Sequence, residues 1–318
     1  MLSLGNVYFR LCVLSRTVMD LKIVAFTRED AASLVMLLNE EYANSYEFIP
    51  YTVEKLLKEI EERNLTVLVA KRDSEILGCI ALHAGHHGEH IEWLTSSKGV
   101  HQQVVEEMLV SEVEKRIVGS DLSVRVDADS PKMRFWIERG YKAEDGFYHM
   151  VARLDGVKPL PPVPEGAVIR SLKLNEERAL IETVNTGYGW ERLREGFIAQ
   201  WKAEHPPFDE SWIHIAEIGG KIVSAVASRP DTEYNKHFKA RRGYLGPAVT
   251  LPEYRGRNLA SALTRRAMNF LYEKGMDSVA LHTAEKNTPS VTLLKNLGFE
   301  VKHIWKFMHK NIVKINTF

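Results

Sequence analysis

Apolar positions along this chain follow two alternating rhythms, and the whole alternation occurs twice. In the first half, residues 21–26, 65–70, 76–82, 89–94, 122–127 and 148–154 are short apolar runs of strand length. Residues 30–42, 52–63, 100–118 and 131–139 carry apolar side chains at helical spacing. In the second half the strand-like runs are 168–174, 212–218, 221–228, 243–250, 278–283 and 299–308, and the helical segments are 175–189, 190–205, 258–274 and 288–296. Both halves therefore run strand, two helices, hairpin, fourth strand, helix, strand, helix, strand. Gly219-Gly220 supplies the hairpin turn of the second half. Glu138-Arg139-Gly140-Tyr141 and Asn296-Leu297-Gly298-Phe299 end the last helix of each half at a constant offset of 158 residues. That is the mark of a duplicated domain, since a solenoid repeats at a much shorter period. Between the halves, residues 155–166 hold four of the twelve prolines and read as an extended, semi-rigid linker. The expected domains are 19–154 and 167–318, each of mixed α/β class.

At 318 residues, the chain is long enough for two domains that each bury a core. Lysine plus arginine equals aspartate plus glutamate at 42 each, so the formal charge is zero. This balance argues against nucleic acid and anionic membranes as partners, because both select a basic field. Cys12 and Cys79 are too few for a disulfide framework, and a reducing, cytoplasmic setting fits them. No apolar run approaches the ~20 residues of a membrane span. Residues 1–18 are mildly apolar and basic, but Asn6, Arg10 and Arg16 interrupt any signal-like core. They are expected to be a disordered extension ahead of Met19.

The stretch from Val249 to Ala260 carries the most chemistry. An apolar strand meets a proline, then a turn rich in arginine and glycine, then a helix opening near Asn258. The first amides of a helix have no partner within it, and the macrodipole adds positive character there. Phosphate groups bind such places, and Arg255 and Arg257 add formal charge. A phosphorylated ligand is expected here. No Lys-Ser/Thr turn accompanies it, which excludes a nucleotide-kinase type of loop.

With these elements in order, residues 165–310 resemble the GNAT superfamily of N-acetyltransferases. One carrying motif is Arg255-Gly256-Arg257-Asn258-Leu259-Ala260 after the fourth strand; the other runs from Asn287 to Gly298-Phe299. The first half resembles the same fold by order of elements and by its Gly140-Tyr141 ending. The resemblance implies an α+β fold of two tandem domains, each a mixed, mostly antiparallel sheet flanked by helices. It also implies acetyl-CoA as acyl donor, with no metal. Pro247, Ala248 and Val249 would pair with the pantetheine arm. Backbone amides from Arg257 through Asn258, Leu259 and Ala260 to Ser261, beside Arg255 and Gly256, would hold the pyrophosphate. Asn287 would touch the CoA arm.

Two positions depart from the family pattern. Asn258 replaces the first motif glycine; asparagine is one of the few non-glycine residues that adopts positive φ, so the turn is expected to survive. Leu294 stands where a tyrosine usually protonates the departing thiolate, and leucine transfers no proton. A thiol pKa near ~8.5 keeps thiolate a tolerable leaving group. For the proton leaving the amine, His282 is the first candidate base and Glu285 the second. Tyr188, Trp190 and Glu191, with Phe197 nearby, are candidates for the acceptor site, an aromatic and acidic mix suited to a cationic amine. Arg241 and Arg242 offer positive charge before the fourth strand. The first half lacks the arginine-rich turn, and Asp129 and Trp136 replace the asparagine and tyrosine. It reads as a degenerate copy that closes the acceptor pocket or buries a face of its partner. His83 to His90 holds four histidines and a glutamate, but the spacing fits no closed zinc pattern. The expected activity is acetyl transfer to the primary amine of a small molecule; the alternatives are a protein N-acetyltransferase and a non-catalytic acyl-CoA sensor. Oligomeric state is not legible.

Overall fold

The computed structural model describes residues 20–312 except 86, 87, 100 and 118. The expected extension at 1–18 lies outside the described residues. The chain divides into two compact units, and each contains a six-stranded mixed sheet.

In the N-terminal unit the strands are β1 (Lys22–Ala25), β2 (Thr66–Arg72), β3 (Glu75–Gly85), β4 (Gly88–Ser96) and β5 (Asp121–Asp127). They lie in that order, and the sixth place beside β5 is filled by β12 (Glu300–Asn311), the last strand of the chain. Only β4 and β5 run parallel; the other pairs are antiparallel. Four helices accompany this sheet: α1 (Ala31–Tyr42), α2 (Val53–Glu62), α3 (Gln102–Arg116) and α4 (Lys132–Glu138).

The C-terminal unit has the same plan. Its strands are β7 (Ala167–Ser171), β8 (Ile213–Ile218), β9 (Lys221–Pro230), β10 (Arg242–Thr250) and β11 (Ser278–Ala284). Here the place beside β11 is taken by β6 (Lys142–Arg153), the strand that closes the first repeat. The helices are α5 (Glu177–Tyr188), α6 (Phe197–Glu204), α7 (Thr232–Phe238), α8 (Leu259–Glu273) and α9 (Thr288–Asn296). The short helix α7 falls in a stretch for which the pattern gave no element.

The final strands of the two repeats are therefore exchanged. Among the described residues the compact units are 20–144 with 305–312, and 145–304, whereas the apolar pattern put the boundaries at 154 and 167. The apolar pattern of a strand states which face is buried, and says nothing about whose sheet edge it joins. Burial shows how deep the exchange runs. Met150 and Ala152 of β6, with Leu154 just after it, sit in the core of the C-terminal unit with Leu245, Leu263 and Leu281, while Met308 of β12 sits in the N-terminal core with Leu109 and Trp136. The proline-rich stretch is pinned as well: Asn269 of α8 donates to the Lys158 carbonyl at 2.7 Å and accepts from its amide at 3.0 Å.

A fragment of residues 145–304 is expected to unfold cooperatively, whereas one of residues 167–318 lacks the core side chains of Met150, Ala152 and Leu154 and leaves the edge of β11 bare. A buried Leu or Met stabilises by about 1.5–3 kcal/mol, set against a net stability of roughly 5–15 kcal/mol, so the second fragment should aggregate. Circular dichroism and gel filtration of the two fragments check this; a well-folded 167–318 fragment would contradict the exchange.

Candidate active site

Parallel pairing of β10 with β11 covers Arg242–Tyr244 against Ser278–Ala280 and then stops, although both strands continue. The strands diverge beyond that point and leave one edge of β10 open. A bulge between Leu245 and Ala248 in the β9 pairing marks where β10 changes course. Of the three residues expected along the pantetheine, Pro247 and Val249 point into the core, and only Ala248 is exposed. The Val249 carbonyl already accepts from Ser224 at 2.7 Å. The Ala248 carbonyl accepts from the Tyr188 hydroxyl at 3.3 Å, so Tyr188, expected in the acceptor site, lies against the β10 edge. α5 can approach this closely because residue 187 is glycine: a Cβ there would sit 2.1 Å from Val249 Cγ2.

The arginine-glycine turn follows the strand. Gly256 at φ 75 and Asn258 at φ 62 are both left-handed, and Asn258 is the residue that opens α8. Asparagine thus performs the backbone role of the family glycine. Arg255 donates from Nε to the Thr250 carbonyl at 3.1 Å and ties the turn to the strand end, while Arg257 donates to the Glu253 carbonyl at 3.2 Å. The Ala262 amide, bonded to the Asn258 carbonyl at 2.9 Å, is the first in α8 with a backbone acceptor. The amides of Leu259, Ala260 and Ser261 precede it, and with two arginines beside them they fit a pyrophosphate.

Beyond the divergence, His282 is exposed on β11, and its Nδ1 lies 2.8 Å from the Tyr244 hydroxyl on β10. The ring of His149, buried on β6 and directly opposite in the sheet, is 4.7 Å from that of His282. Burial raises the Tyr244 hydroxyl pKa, and the Arg229 charge partly opposes that rise. Tyr244 and His149 escaped the sequence reading, because both reach His282 through strand pairings that lie far apart in the chain.

The other candidates occupy structural roles. Glu285 accepts from the Tyr148 hydroxyl and the Gly146 amide, each at 3.1 Å, which ties both carboxylate oxygens to β6 and disfavours it as the base. Asn287 caps α9 by accepting from the Ser290 amide at 3.3 Å. Leu294 is buried in the core, so no proton donor can be placed there by rotation. Glu191 pairs with Arg194 at 2.7 Å on an exposed surface and brings no acidity to the strand divergence. Trp190 stays near Tyr188, with ring centres 6.0 Å apart, and the guanidinium of Arg192 lies over both rings. Arg242 is buried against Asp231 at 2.8 Å, and Arg241 pairs with Asp277 on the surface. The surroundings of the site are cationic and aromatic, contrary to the acidic mix expected.

The N-terminal unit diverges in the same way, since β4 and β5 pair only at Glu89–Ile91 with Leu122–Val124. There the opening is bridged from within. Lys132 donates to the Leu94 carbonyl at 2.9 Å and contacts Glu41 at 2.6 Å and Glu106 at 3.3 Å. Tyr42, the last residue of α1, meets the Leu94 amide and carbonyl at 3.4 and 3.5 Å. The buried carboxylate of Glu106, in the first turns of α3, would repel a phosphate. His83 and His90 lie on strands with rings 5.5 Å apart, and His86 and His87 lie outside the described residues. Among the described residues no group of three or more metal-binding side chains occurs, and no helix is long and apolar enough to cross a membrane.

A family model described as the acetyltransferase (GNAT) family matches residues 177–299, which span α5 to the start of the last strand. Residues 177–299 thus carry a GNAT-family domain. The chain is similar to a mycothiol acetyltransferase of Thermobispora bispora, at 27% identity over 151 residues, covering 44% of this chain and 49% of that one. The match thus spans about half the length of that relative. A mycothiol acetyltransferase of Nocardia farcinica is 25% identical over 255 residues, covering 74% of this chain and 80% of the relative. Among solved structures, a tandem GNAT protein from the clavulanic acid biosynthesis pathway superposes with a TM-score of 0.67 at 16% identity, covering 93% of this chain and all of that one. That likeness concerns the fold.

The turn makes its own prediction. Asn258→Gly should keep the stability of the protein, whereas Asn258→Val should cost about 1–2 kcal/mol, because a β-branched residue resists positive φ. Urea denaturation of the two variants measures the difference; equal stability would show that the turn does not need its left-handed residue.

Proposed function

We propose that the C-terminal unit binds acetyl-CoA and transfers the acetyl group directly to the primary amine of a small molecule. The observation that carries this reading is the open β10 edge leading to a turn of unpartnered amides. Ala248 would pair with the pantetheine amides once the Tyr188 hydroxyl gives way. The amides of residues 257–261 would hold the pyrophosphate, with Arg255 and Arg257 supplying charge. The name mycothiol acetyltransferase, carried by relatives, supports acetyl transfer and leaves the acceptor of this chain to be identified.

His282 is the base in this reading. In the tautomer whose Nδ1–H donates to Tyr244, Nε2 is the nitrogen that takes the proton from the amine as the new N–C bond forms and the C–S bond breaks. The departing sulfur leaves as thiolate and recovers a proton from solvent, so the overall exchange balances without a tyrosine at 294. Tyr244 is a positioning residue, fixing the ring orientation. A second reading is favoured by one observation. The buried Leu294 removes the usual acid altogether, as expected of a domain that binds acyl-CoA without turning it over.

Release of free thiol from acetyl-CoA in the presence of a panel of primary amines separates the two. Turnover is expected, and His282→Gln should lower kcat by about 10²–10⁴-fold, the usual contribution of a general base, with little change in the KM for acetyl-CoA. Tight binding with no turnover on any amine would establish the sensor reading. Turnover indifferent to His282→Gln would remove the histidine from the mechanism.

A further inference from the structure

Arg229, the last residue but one of β9, lies directly opposite Tyr244 on β10. Its guanidinium carbon lies 4.4 Å from the centre of the Tyr244 ring and 5.6 Å from that of Trp201 on α6. It makes no hydrogen bond or ion pair with any described residue, and its Nε is buried without a partner. Two other arginines of this unit are paired with carboxylates. Arg170 is held by Glu176 and Glu217 at 2.7 and 2.6 Å, and Arg242 by Asp231 at 2.8 Å. Asp231 is thus committed elsewhere, and Glu204 accepts from Gln200. These two acids reach Arg229 only through longer-range attraction.

A cation taken out of water without a counter-charge is costly, and such a group persists where a ligand completes it. Two aromatic rings close on the guanidinium and favour contact along its in-plane N–H edge, the geometry that receives a carboxylate through two parallel hydrogen bonds. Arg192, over the rings of Tyr188 and Trp190, adds a second positive charge nearby. Tyr244 links this place to the chemistry, since its ring faces Arg229 and its hydroxyl meets His282. An acceptor with its anion at Arg229 and its nucleophile at His282 therefore spans a tyrosine ring.

We propose that the amine acceptor carries a carboxylate that Arg229 receives, with amine and carboxylate several bonds apart. This rests on the transferase reading above. It replaces the cationic acceptor that Glu191 suggested with an amino-acid-like one.

The test compares 6-aminohexanoate, hexylamine and 6-aminohexyl phosphate as acceptors for the full chain. The carboxylated amine should exceed hexylamine in kcat/KM by roughly 10- to 100-fold, the range of a charge-assisted contact. Arg229→Gln should collapse that ratio towards one. Arg229→Lys, which keeps the charge and loses the planar fork, should fall between and guards against a variant that merely unfolds. Equal use of hexylamine and 6-aminohexanoate, or an undiminished ratio in Arg229→Gln, would overturn the proposal while leaving the transferase reading intact. A preference for the phosphate would overturn the carboxylate assignment. Calorimetric titration of 6-aminohexanoate into the protein with CoA present needs no turnover. Binding there that depends on Arg229, with no acetylation of any amine, would support the anion site and count against the transferase. No binding and no acetylation would sink both.

Discussion

The site depends on one place where sheet pairing stops. β10 and β11 are hydrogen-bonded neighbours through Tyr244 and Ala280, and past that point the ladder ends. An unpaired strand edge inside a protein is a liability unless something occupies it, because its amides and carbonyls need partners. Here the edge lies beside Pro247 and Ala248, runs towards a cationic turn, and has His282 on its far side. Each feature tied to the proposed chemistry follows from that divergence: the open edge, the helix start that continues it, and the Tyr244–His282 contact across its base.

The N-terminal repeat has the same divergence bridged by its own side chains. Lys132 spans the gap with three oxygen partners, Tyr42 satisfies Leu94 at its amide and carbonyl, and Glu106 puts negative charge by α3. At the constant offset, the counterpart of Lys132 is Ser290, a side chain too short to bridge, which bonds Thr283 at 3.2 Å. Tyr188 ends its helix as Tyr42 does and meets the corresponding strand edge with a single hydrogen bond. One repeat has filled its opening with a salt-bridge network; the other meets its strand edge with the Tyr188 hydroxyl.

Much of this was legible in the chain because it is local. Helical spacing gave α1, α2, α5 and α8, and the glycine-arginine turn announced its own conformation down to the left-handed Asn258. What escaped depends on pairings between distant residues. Nothing in residues 142–153 says that this strand joins β11, so His149 beside His282 could not be foreseen. Glu191 looked like part of an acidic acceptor site only until its pairing with Arg194 was visible, and Arg229 looked ordinary because an absent counter-ion leaves no trace in sequence. The helix α7 was missed for a further reason: it is short and buries no residue, so it carries no apolar rhythm.

The central claim is that only one of two like openings is built to hold CoA, and the stoichiometry of binding tests it most directly. Calorimetric titration of the full chain with CoA should give one site per chain. That site should weaken with Arg257→Ala and be indifferent to Lys132→Met. Two sites per chain, or a single site that responds to Lys132→Met and not to Arg257→Ala, would contradict the account.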